Sequence, residues 1–327
     1  MKSSVLFQES FTDFGVLRKE LPLIFSRDDS VAVKLHMGEA GNKYFLKPAV
    51  VKPLLDAMKS IGLKPFLFDS PVMYHGSRST SEQYLETANA HGFGDIGCPI
   101  VISDDFVLAS TNHLQAEVCK ALAESDGMLV LSHVKGHACS GFGAAIKNLG
   151  MGAVTPKTKK VIHDGGSPVV VGNCVCCGRC QDYCPAKAIR MADKAVFNLD
   201  SCWGCNICVN CCEQRALRVK VASFDRLLAE GAQAVLKTVK KSYFVNVIKD
   251  VAQFCDCVGS RNKILGPDLG VLFGSDIVAV DKASMDLINQ KAGYDLFLKV
   301  NHKSPLEHIR EAALLGLGSI DYELVVL

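Results

Sequence analysis

The chain alternates between short β-branched apolar runs and stretches whose apolar residues recur at helical spacing. Residues 31–36 form one such run before a Gly/Asn loop, and residues 64–69 form the next. Between them, residues 47–61 carry apolar side chains three and four positions apart, which predicts a helix. We place its start near Pro53, because proline suits only the first turn. The order strand, helix, strand indicates a βαβ unit with parallel strands.

The same alternation continues over most of the chain. Further strands are predicted at 99–103, 106–108, 127–134, 242–248, 268–273 and 322–327, and further helices at 81–91, 112–125, 222–237, 277–290 and 306–315. Residues 150–166 are typical of a Gly/Lys-rich connector. The pattern therefore predicts an α/β body with a mostly parallel sheet, interrupted by a cysteine-rich segment. We expect a first part of the body at 1–164, an inserted α+β module at 165–220 and a second part at 221–327.

Length and composition indicate the size of the hydrophobic core, the kinds of binding partner and the cellular compartment of the protein. The chain has 327 residues, 49% of them hydrophobic, and a net charge of +2. It is long enough for a large core and gives no general argument for binding nucleic acid or a membrane surface. No apolar leader follows Met1 and no run of about 18 apolar residues occurs, which predicts a cytoplasmic protein without a membrane span. The 15 cysteines need a chemical explanation.

Eight of the cysteines form a pattern that occurs twice. The first copy comprises Cys174, Cys177, Cys180 and Cys184, and the second comprises Cys202, Cys205, Cys208 and Cys212. Each copy has the spacing C-x2-C-x2-C-x3-C, and the second follows the first by 28 residues. Pro185 ends the first copy, whereas Glu213 stands at that place in the second. The run resembles that of bacterial two-cluster ferredoxins, in which the fourth cysteine of one copy ligates the cluster of the other.

The resemblance implies two 4Fe–4S clusters with a crossed set of ligands. The first cluster is assigned to Cys174, Cys177, Cys180 and Cys212, and the second to Cys202, Cys205, Cys208 and Cys184. Zinc knuckles and disulfides are the competing interpretations. Zinc sites would leave the third and fourth thiol of each copy without a metal. Disulfides are not favoured, because nothing marks the chain for export. Because exposed clusters of this kind are sensitive to oxygen, we expect an anaerobic host.

Motifs outside the cysteine repeat carry a second resemblance. They are Lys135-Gly136-His137, Gly143 with Lys147-Asn148-Leu149-Gly150, Cys255-Asp256-Cys257, the run 276–281 and Gly316-Leu317-Gly318. On these motifs the chain is identified as a member of the prokaryotic family named domain of unknown function 362, iron–sulfur proteins with an inserted ferredoxin segment. Asp276-Ile277 stands where that family usually has Asp-Pro. The resemblance implies clusters and an α/β body, and it supplies no reaction.

Polar side chains follow three of the predicted strands. They are Lys34 and His36 after the first strand, His75 and Arg78 after the second, and Lys135 and His137 after the third, with Lys147 further along. Ligands of open parallel sheets bind beyond the carboxyl ends of the strands, so we expect a cationic pocket for a small anionic or carbonyl-bearing substrate. Lys135, His137 and His75 are the candidate catalytic residues, and the others are candidates to bind the ligand. A hydrogen-bonded structural role is the alternative for each histidine.

Cys255 and Cys257 flank Asp256 in a third candidate site. Two thiolates this close can bind an additional metal, ligate a cofactor or relay redox equivalents, and two free buried thiols are the competing interpretation. The chain has no third glycine after Gly141 and Gly143 and no Walker loop, so nicotinamide and ATP are not supported. A flavin stays open, since its sites have no compulsory short motif.

The expected function is iron–sulfur electron transfer, with a ferredoxin-type oxidoreductase as the candidate enzyme class. Two clusters would pass electrons to or from a ligand, a cofactor or a redox partner protein at the α/β body. The alternatives are an accessory electron carrier without catalysis and a factor that assembles or activates a metallocofactor through Cys255 and Cys257. Whether the protein is an enzyme and whether it forms a homodimer stay open at this level.

Overall fold

The structure is a computed structural model and describes residues 2–260 and 262–327. Its strands are β1 (Ser3–Gln8), β2 (Ser30–Lys34), β3 (Lys64–Asp69), β4 (Ile100–Ile102), β5 (Phe106–Ser110), β6 (Gln115–Cys119), β7 (Gly127–His133), β8 (Lys135–His137), β9 (Gly141–Gly143), β10 (Pro168–Val170), β11 (Ile189–Met191), β12 (Ala195–Phe197), β13 (Leu217–Val219), β14 (Ser242–Ile248), β15 (Gly270–Gly274) and β16 (Tyr322–Val326). Its helices are α1 (Leu17–Glu20), α2 (Pro48–Ser60), α3 (Ser81–Ala90), α4 (Lys120–Ala123), α5 (Ala145–Gly152), α6 (Pro156–Gly165), α7 (Arg179–Asp182), α8 (Ile207–Asn210), α9 (Phe224–Thr238), α10 (Ile277–Ala292), α11 (Leu296–Asn301) and α12 (Glu307–Leu314), with 3-10 turns at Leu21–Leu23 and Phe93–Asp95.

Eight strands form the central sheet, in the order β16-β1-β15-β14-β7-β2-β3-β4. The five strands from β14 to β4 are parallel to one another, and β16 is parallel to β1, whereas β15 is antiparallel to both of its neighbours, β1 and β14. Strands from before and after the cysteine-rich segment therefore share one sheet. The predicted α/β fold with a mostly parallel sheet is confirmed.

Helices cover both faces of this sheet. Side chains alternate along β14, so that Tyr243 and Val245 contribute to one core and Phe244 to the other. Helix α2 packs into the core that contains Val245, while α5 and α9 pack into the core that contains Phe244. The crossover after β2 thus lies on one face and the helix after β7 on the other. This reversal makes the boundary between β2 and β7 the switch point, where doubly wound sheets open a crevice.

The longest helices are α9, with 15 residues, and α10, with 16. Each buries a broad apolar face in the core. Within residues 2–260 and 262–327, no helix has the length and apolar character needed to cross a membrane.

The segment between α6 and α9 leaves the body and returns to it at one place. There β10 pairs with β13, and the Lys220 N–H donates to the Ser167 carbonyl at 2.8 Å. The sequence repeat is also a structural repeat, since α8 follows α7 and β13 follows β11 by 28 residues each. Lys187 and Arg215, which are equivalent in the two copies, share a φ of 51°. The two cysteine runs therefore adopt the same local fold.

Three predictions of local structure are wrong. The predicted helix at 112–125 contains strand β6 and only the one-turn helix α4, because pairing with β5 overrides the local helical pattern. Residues 150–166 lie largely in α5 and α6 and do not form a connector. The start of helix α6 could have been predicted from the sequence, because the Thr155 side chain caps the helix and Pro156 occupies its first turn. Helix α2 begins at Pro48 and accommodates Pro53 in its interior.

Candidate functional site

A large cavity opens at the carboxyl ends of β2, β3 and β7, beside the switch point. Its volume is about 990 Å³ including the open space at its mouth. The polar part of its wall contains Lys34, His36, Asp69, Ser70, Tyr74, Arg78, Ser132, His133, Lys135, His137, Lys147, Asn148, Lys159, His163, Asp256 and the pair Cys255 and Cys257, and the apolar part contains Val72, Met73 and Met151. This lining, in which a few convergent polar groups lie beside apolar side chains, is that of a small-molecule or cofactor site.

The cavity brings together eight of the nine residues that the sequence singled out beyond the cluster cysteines. These are Lys34, His36, Arg78, Lys135, His137, Lys147, Cys255 and Cys257. The ninth, His75, is exposed in the loop between β3 and α3 and does not line the cavity. Its predicted catalytic role is therefore not supported by its position, because the loop turns this side chain toward solvent.

Among the wall residues that the sequence analysis missed are Lys159 and His163, which it assigned to a connector. Both lie on α6, and residues four positions apart share one face of a helix. Lys159 donates to Ser70 Oγ at 2.9 Å and to the Pro71 carbonyl, and burial lowers its pKa to about 8. Recognising the Thr155 cap would have predicted the helix and hence this shared face.

Lys34 and Asp69 form a buried ion pair at the ends of β2 and β3, with Nζ 2.9 Å from Oδ1. Lys34 also donates to Asn148 Oδ1 at 2.7 Å, and Tyr84 donates to the other oxygen of Asp69. A Cβ at position 152 would lie 2.4 Å from Lys34 Nζ, so only the glycine leaves room for this side chain. The protein itself therefore satisfies the charge of Lys34.

Arg78 is the second cation of the wall that has its own counter-charge. It contacts the Glu39 carboxylate at 3.0 Å and donates to the Tyr74 hydroxyl at 2.7 Å. Arg78 is fully buried, and a buried guanidinium is tolerated only when such partners surround it. Like Lys34, it therefore has no free charge to offer a ligand.

Asp256 organises a third charged group on the opposite wall. His133 Nδ1 lies 2.8 Å from Asp256 Oδ2, and His133 Nε2 donates to the Lys249 carbonyl at 2.6 Å. His133 thus contacts the Asp256 carboxylate through one ring nitrogen and the Lys249 carbonyl through the other. Burial opposes ionisation, but His133 and Lys135 hold the pKa of Asp256 below its ordinary value.

Cys255 and Cys257 are joined by a disulfide in the cavity wall. The interpretation as two free buried thiols is therefore wrong. Their segment is fixed to the opposite wall, since Asn42 donates to the Asp256 carbonyl at 3.3 Å and Tyr74 to the Cys257 carbonyl at 3.4 Å. A redox-sensitive bond thus faces the same space as the lysines and histidines.

The eight repeated cysteines line two smaller cavities in the inserted segment. The first cavity, of about 360 Å³, contains Cys174, Cys177, Cys180 and Cys212, and the second, of about 330 Å³, contains Cys184, Cys202, Cys205 and Cys208. These sets are the two crossed sets that the sequence predicts. Among the described residues, no three or more His, Cys, Asp or Glu side chains are spaced to hold a metal ion. The support for two sites of four thiolates each is therefore that these thiols share a cavity. Distances between the sulfurs give no such support.

Local contacts agree with this grouping of the thiols. Burial raises the pKa of the Cys205 thiol to about 11, and Cys184 and Cys202 act in the same direction because their sulfurs are close. Backbone N–H groups also point at the sulfurs, since Gly204 N lies 3.4 Å from Cys202 Sγ. Hydrogen bonds of this kind are among the contacts by which proteins tune iron–sulfur clusters.

The second cysteine set lies against the wall of the large cavity. His163, which lines that cavity, donates from Nδ1 to the Trp203 carbonyl at 2.7 Å. A Cβ at position 204 would lie 1.9 Å from the His163 carbonyl oxygen, and Lys303 donates to the Cys205 carbonyl at 3.2 Å. By contrast, Val175 and Cys177 of the first copy are exposed. The two sets are therefore an inner set and an outer set with respect to the body.

Comparison with known proteins identifies the family. The model of the family described as Domain of unknown function (DUF362) matches residues 31–286, a stretch that includes the large cavity and both cysteine copies. The chain belongs to the DUF362 family. No curated protein matches this DUF362 chain.

Two solved structures are similar to this DUF362 protein. One is the crystal structure of a protein from Thermotoga maritima, 10% identical with a TM-score of 0.44, covering 94% of this chain and 60% of that one. The other is the lactate racemase apoprotein from Thermoanaerobacterium thermosaccharolyticum, 13% identical with a TM-score of 0.39, covering 76% of this chain and 51% of that one. The DUF362 chain thus spans less than two thirds of the length of either.

Lys147 differs from the other cations of the DUF362 cavity. Its Nζ makes no hydrogen bond or ion pair with any residue in 2–260 and 262–327. Burial lowers the pKa of Lys147 to about 8; Asp256 acts against this shift, while Arg78 and Lys34 add to it. A Cβ at position 143 would meet its side chain at 2.6 Å, so Gly143 provides the space that it occupies.

His36 and His137 are neutral members of the same wall. The Gly38 N–H donates to His36 Nδ1 at 3.0 Å, so the proton of the neutral ring is on Nε2. That Nε2 is buried and has no partner among the described residues. His137 Nδ1 lies 3.1 Å from Ser140 Oγ. Burial lowers the pKa of both rings well below the ordinary value, with a contribution from Lys147.

Proposed function

We propose that this DUF362 protein is an iron–sulfur oxidoreductase that passes electrons between two 4Fe–4S clusters and a ligand in the large cavity. One observation carries the proposal. His163 lines the cavity and donates to the Trp203 carbonyl, which lies between two cysteines of the inner set. A redox site and a ligand site that share a wall in this way are close enough to act together.

The cysteines that would hold the clusters are those that share the two small cavities. Cys177 and its three partners form the outer set, and Cys205 and its three partners form the inner set. When bound, the clusters supply one-electron transfer at potentials that their surroundings set. The outer set, which includes the exposed Cys177, supports electron exchange with a redox partner protein, and the inner set supports exchange with the cavity.

The cavity residues have separate tasks in this proposal. Lys147 holds a proton near neutral pH and can release it, since its pKa is lowered to about 8. His137 is neutral and can donate or accept a hydrogen bond at the cavity. Val72 and Met73 provide the apolar surface that excludes water from a bound ligand. Proton transfer and binding would thus come from this chain, next to the inner cysteine set.

Two other functions have observations in their favour. The exposed position of Cys177 suits an accessory electron carrier that docks to a larger enzyme. The position of Cys255 and Cys257 in the cavity suits a factor that handles a metallocofactor, because reduction would present two thiolates to a soft metal. A flavin or an additional metal in the cavity stays a prediction from the sequence.

The Cys255–Cys257 disulfide provides a test of electron delivery to the cavity. When the anaerobic protein is treated with dithionite, we expect the disulfide to be reduced. The reduction takes up two electrons and two protons and gives two thiols. Alkylation and mass spectrometry should then label Cys255 and Cys257. In the Cys205→Ser variant, which lacks one inner ligand, labelling is expected to be at least about tenfold slower, because the inner cluster no longer provides a path.

Dithiothreitol serves as the control, since it should reduce the disulfide equally in wild type and in Cys205→Ser. Equal labelling of the two proteins after dithionite would remove the proposed path to the cavity. Reduced clusters with an intact disulfide would favour the accessory carrier. Uptake of a soft metal that depends on Cys255 and Cys257, without transfer of electrons, would favour the metallocofactor function.

A further inference from the structure

The charges of the large cavity do not balance. Five lysine and arginine side chains line it, whereas three carboxylates, Asp69, Glu39 and Asp256, pair with them. The wall therefore carries an excess of at least two positive charges. A buried excess of charge destabilises the protein unless something supplies the opposite charge.

The excess is concentrated on Lys147. Lys159 also lacks a carboxylate, but its ammonium group is surrounded by oxygens of Ser70 and Pro71. Lys147 Nζ has neither a carboxylate nor a carbonyl partner within the described ranges. It is therefore the cation of the wall without a direct partner; Asp256 attracts it, but that carboxylate is already paired with His133 and Lys135.

A second donor near Lys147 also lacks a partner. The proton on His36 Nε2 has no acceptor, although the atom is buried, and buried N–H groups are nearly always bonded. His36 and Lys147 both line the large cavity. Because His36 Nε2 carries a proton in the neutral ring, it is suited to donate to an oxygen and not to coordinate a metal.

We infer that the ligand of the large cavity is an organic anion with a carboxylate or phosphate group, and that Lys147 is its principal counter-charge. The negative group satisfies Lys147 and the His36 N–H, while Val72, Met73 and Met151 contact its carbon part. The inference deepens the proposed function, on which it rests, by naming the class of ligand. It makes no use of the clusters, so the two can fail separately.

The test compares anion binding by wild type, Lys147→Met and Lys43→Met. Lys43 is an exposed lysine away from the cavity, so its replacement is the matched control. Malonate and inorganic phosphate, each against chloride at equal ionic strength, are titrated into the anaerobic full-length chain while thermal unfolding is followed. At least one of the two is expected to stabilise wild type and Lys43→Met, with binding to Lys147→Met weaker by roughly thirtyfold or more.

Lys147→Met is expected to fold, because Lys147 is only partly buried and methionine keeps most of its volume while it removes a charge that has no direct partner. Its unfolding temperature in chloride should equal or exceed that of wild type. As a second measurement, the stabilising anion should slow acetylation of Lys147 by N-hydroxysuccinimidyl acetate, while Lys43 reacts unchanged. The inference would be overturned if both anions failed to stabilise wild type more than chloride does. It would also be overturned if an anion stabilised Lys147→Met as much as wild type. The anion that stabilises wild type at the lower concentration indicates whether the ligand carries a carboxylate or a phosphate group.

Discussion

Replacing Cys184 by serine is expected to remove the inner cluster, although Cys184 belongs to the first copy of the cysteine repeat. Cys184 shares its cavity with three cysteines of the second copy. A cluster that loses one of four thiolates is lost or strongly destabilised, so the iron content of anaerobic protein should fall from about eight to about four per chain. The measurement is iron and acid-labile sulfide per chain.

Double variants decide which thiols belong together. Adding Cys205→Ser to Cys184→Ser should leave about four irons, because both cysteines serve one site, whereas adding Cys177→Ser should leave almost none. The crossed sets would be contradicted if the double variant with Cys205→Ser lost almost all iron and the one with Cys177→Ser kept about four irons. Cys211→Ser is the matched control, since Cys211 adjoins a predicted ligand and lines neither small cavity. It should keep about eight irons.

Gly204→Ala is expected to separate the inner cysteine set from the body. The added Cβ would lie 1.9 Å from the His163 carbonyl oxygen, which is a backbone atom that cannot move alone. The backbone must shift, and we expect a loss of roughly 2–4 kcal/mol in the free energy of unfolding. Labelling of the Cys255–Cys257 pair after dithionite should also slow, because the contact between Trp203 and His163 is disturbed.

The equivalent position in the first copy provides the control. Cys176 lies 28 residues before Gly204 and has a similar left-handed backbone, with φ of 54° against 64°. A side chain is therefore tolerated in this turn, and the close approach to the body is what requires glycine. Cys176→Ala should change stability by less than about 0.5 kcal/mol, as exposed substitutions do. Equal unfolding temperatures for Gly204→Ala and wild type would show that the contact does not hold the two parts together.

The sequence predicted which cysteines share each small cavity, and eight of its nine other candidate residues line the large cavity, for simple reasons. The repeated spacing of thiols is itself a chemical pattern, and it does not depend on how the rest of the chain folds. Lys34, Lys135 and His137 could be predicted because parallel strands bring their carboxyl ends to one edge. These features need only the order of the elements and their direction.

Features that depend on tertiary packing could not be predicted in this way. The partner of Arg78 is Glu39, from a different loop, and the ion pair depends on how the two loops meet. His75 precedes Arg78 by three residues, yet it faces solvent because the loop turns between them. Which copy of the repeat faces the body is also invisible in the cysteine pattern. Tertiary contacts distinguish the inner copy from the outer one, such as the close approach of Gly204 to His163 and the hydrogen bond from Lys303 to the Cys205 carbonyl.

The most direct test of the central claim is a metal analysis of anaerobically purified protein, combined with electron paramagnetic resonance after reduction. The account predicts about eight irons and eight sulfides per chain, with the signal of two interacting 4Fe–4S clusters. Zinc in place of iron, or fewer than about four irons per chain, would contradict it.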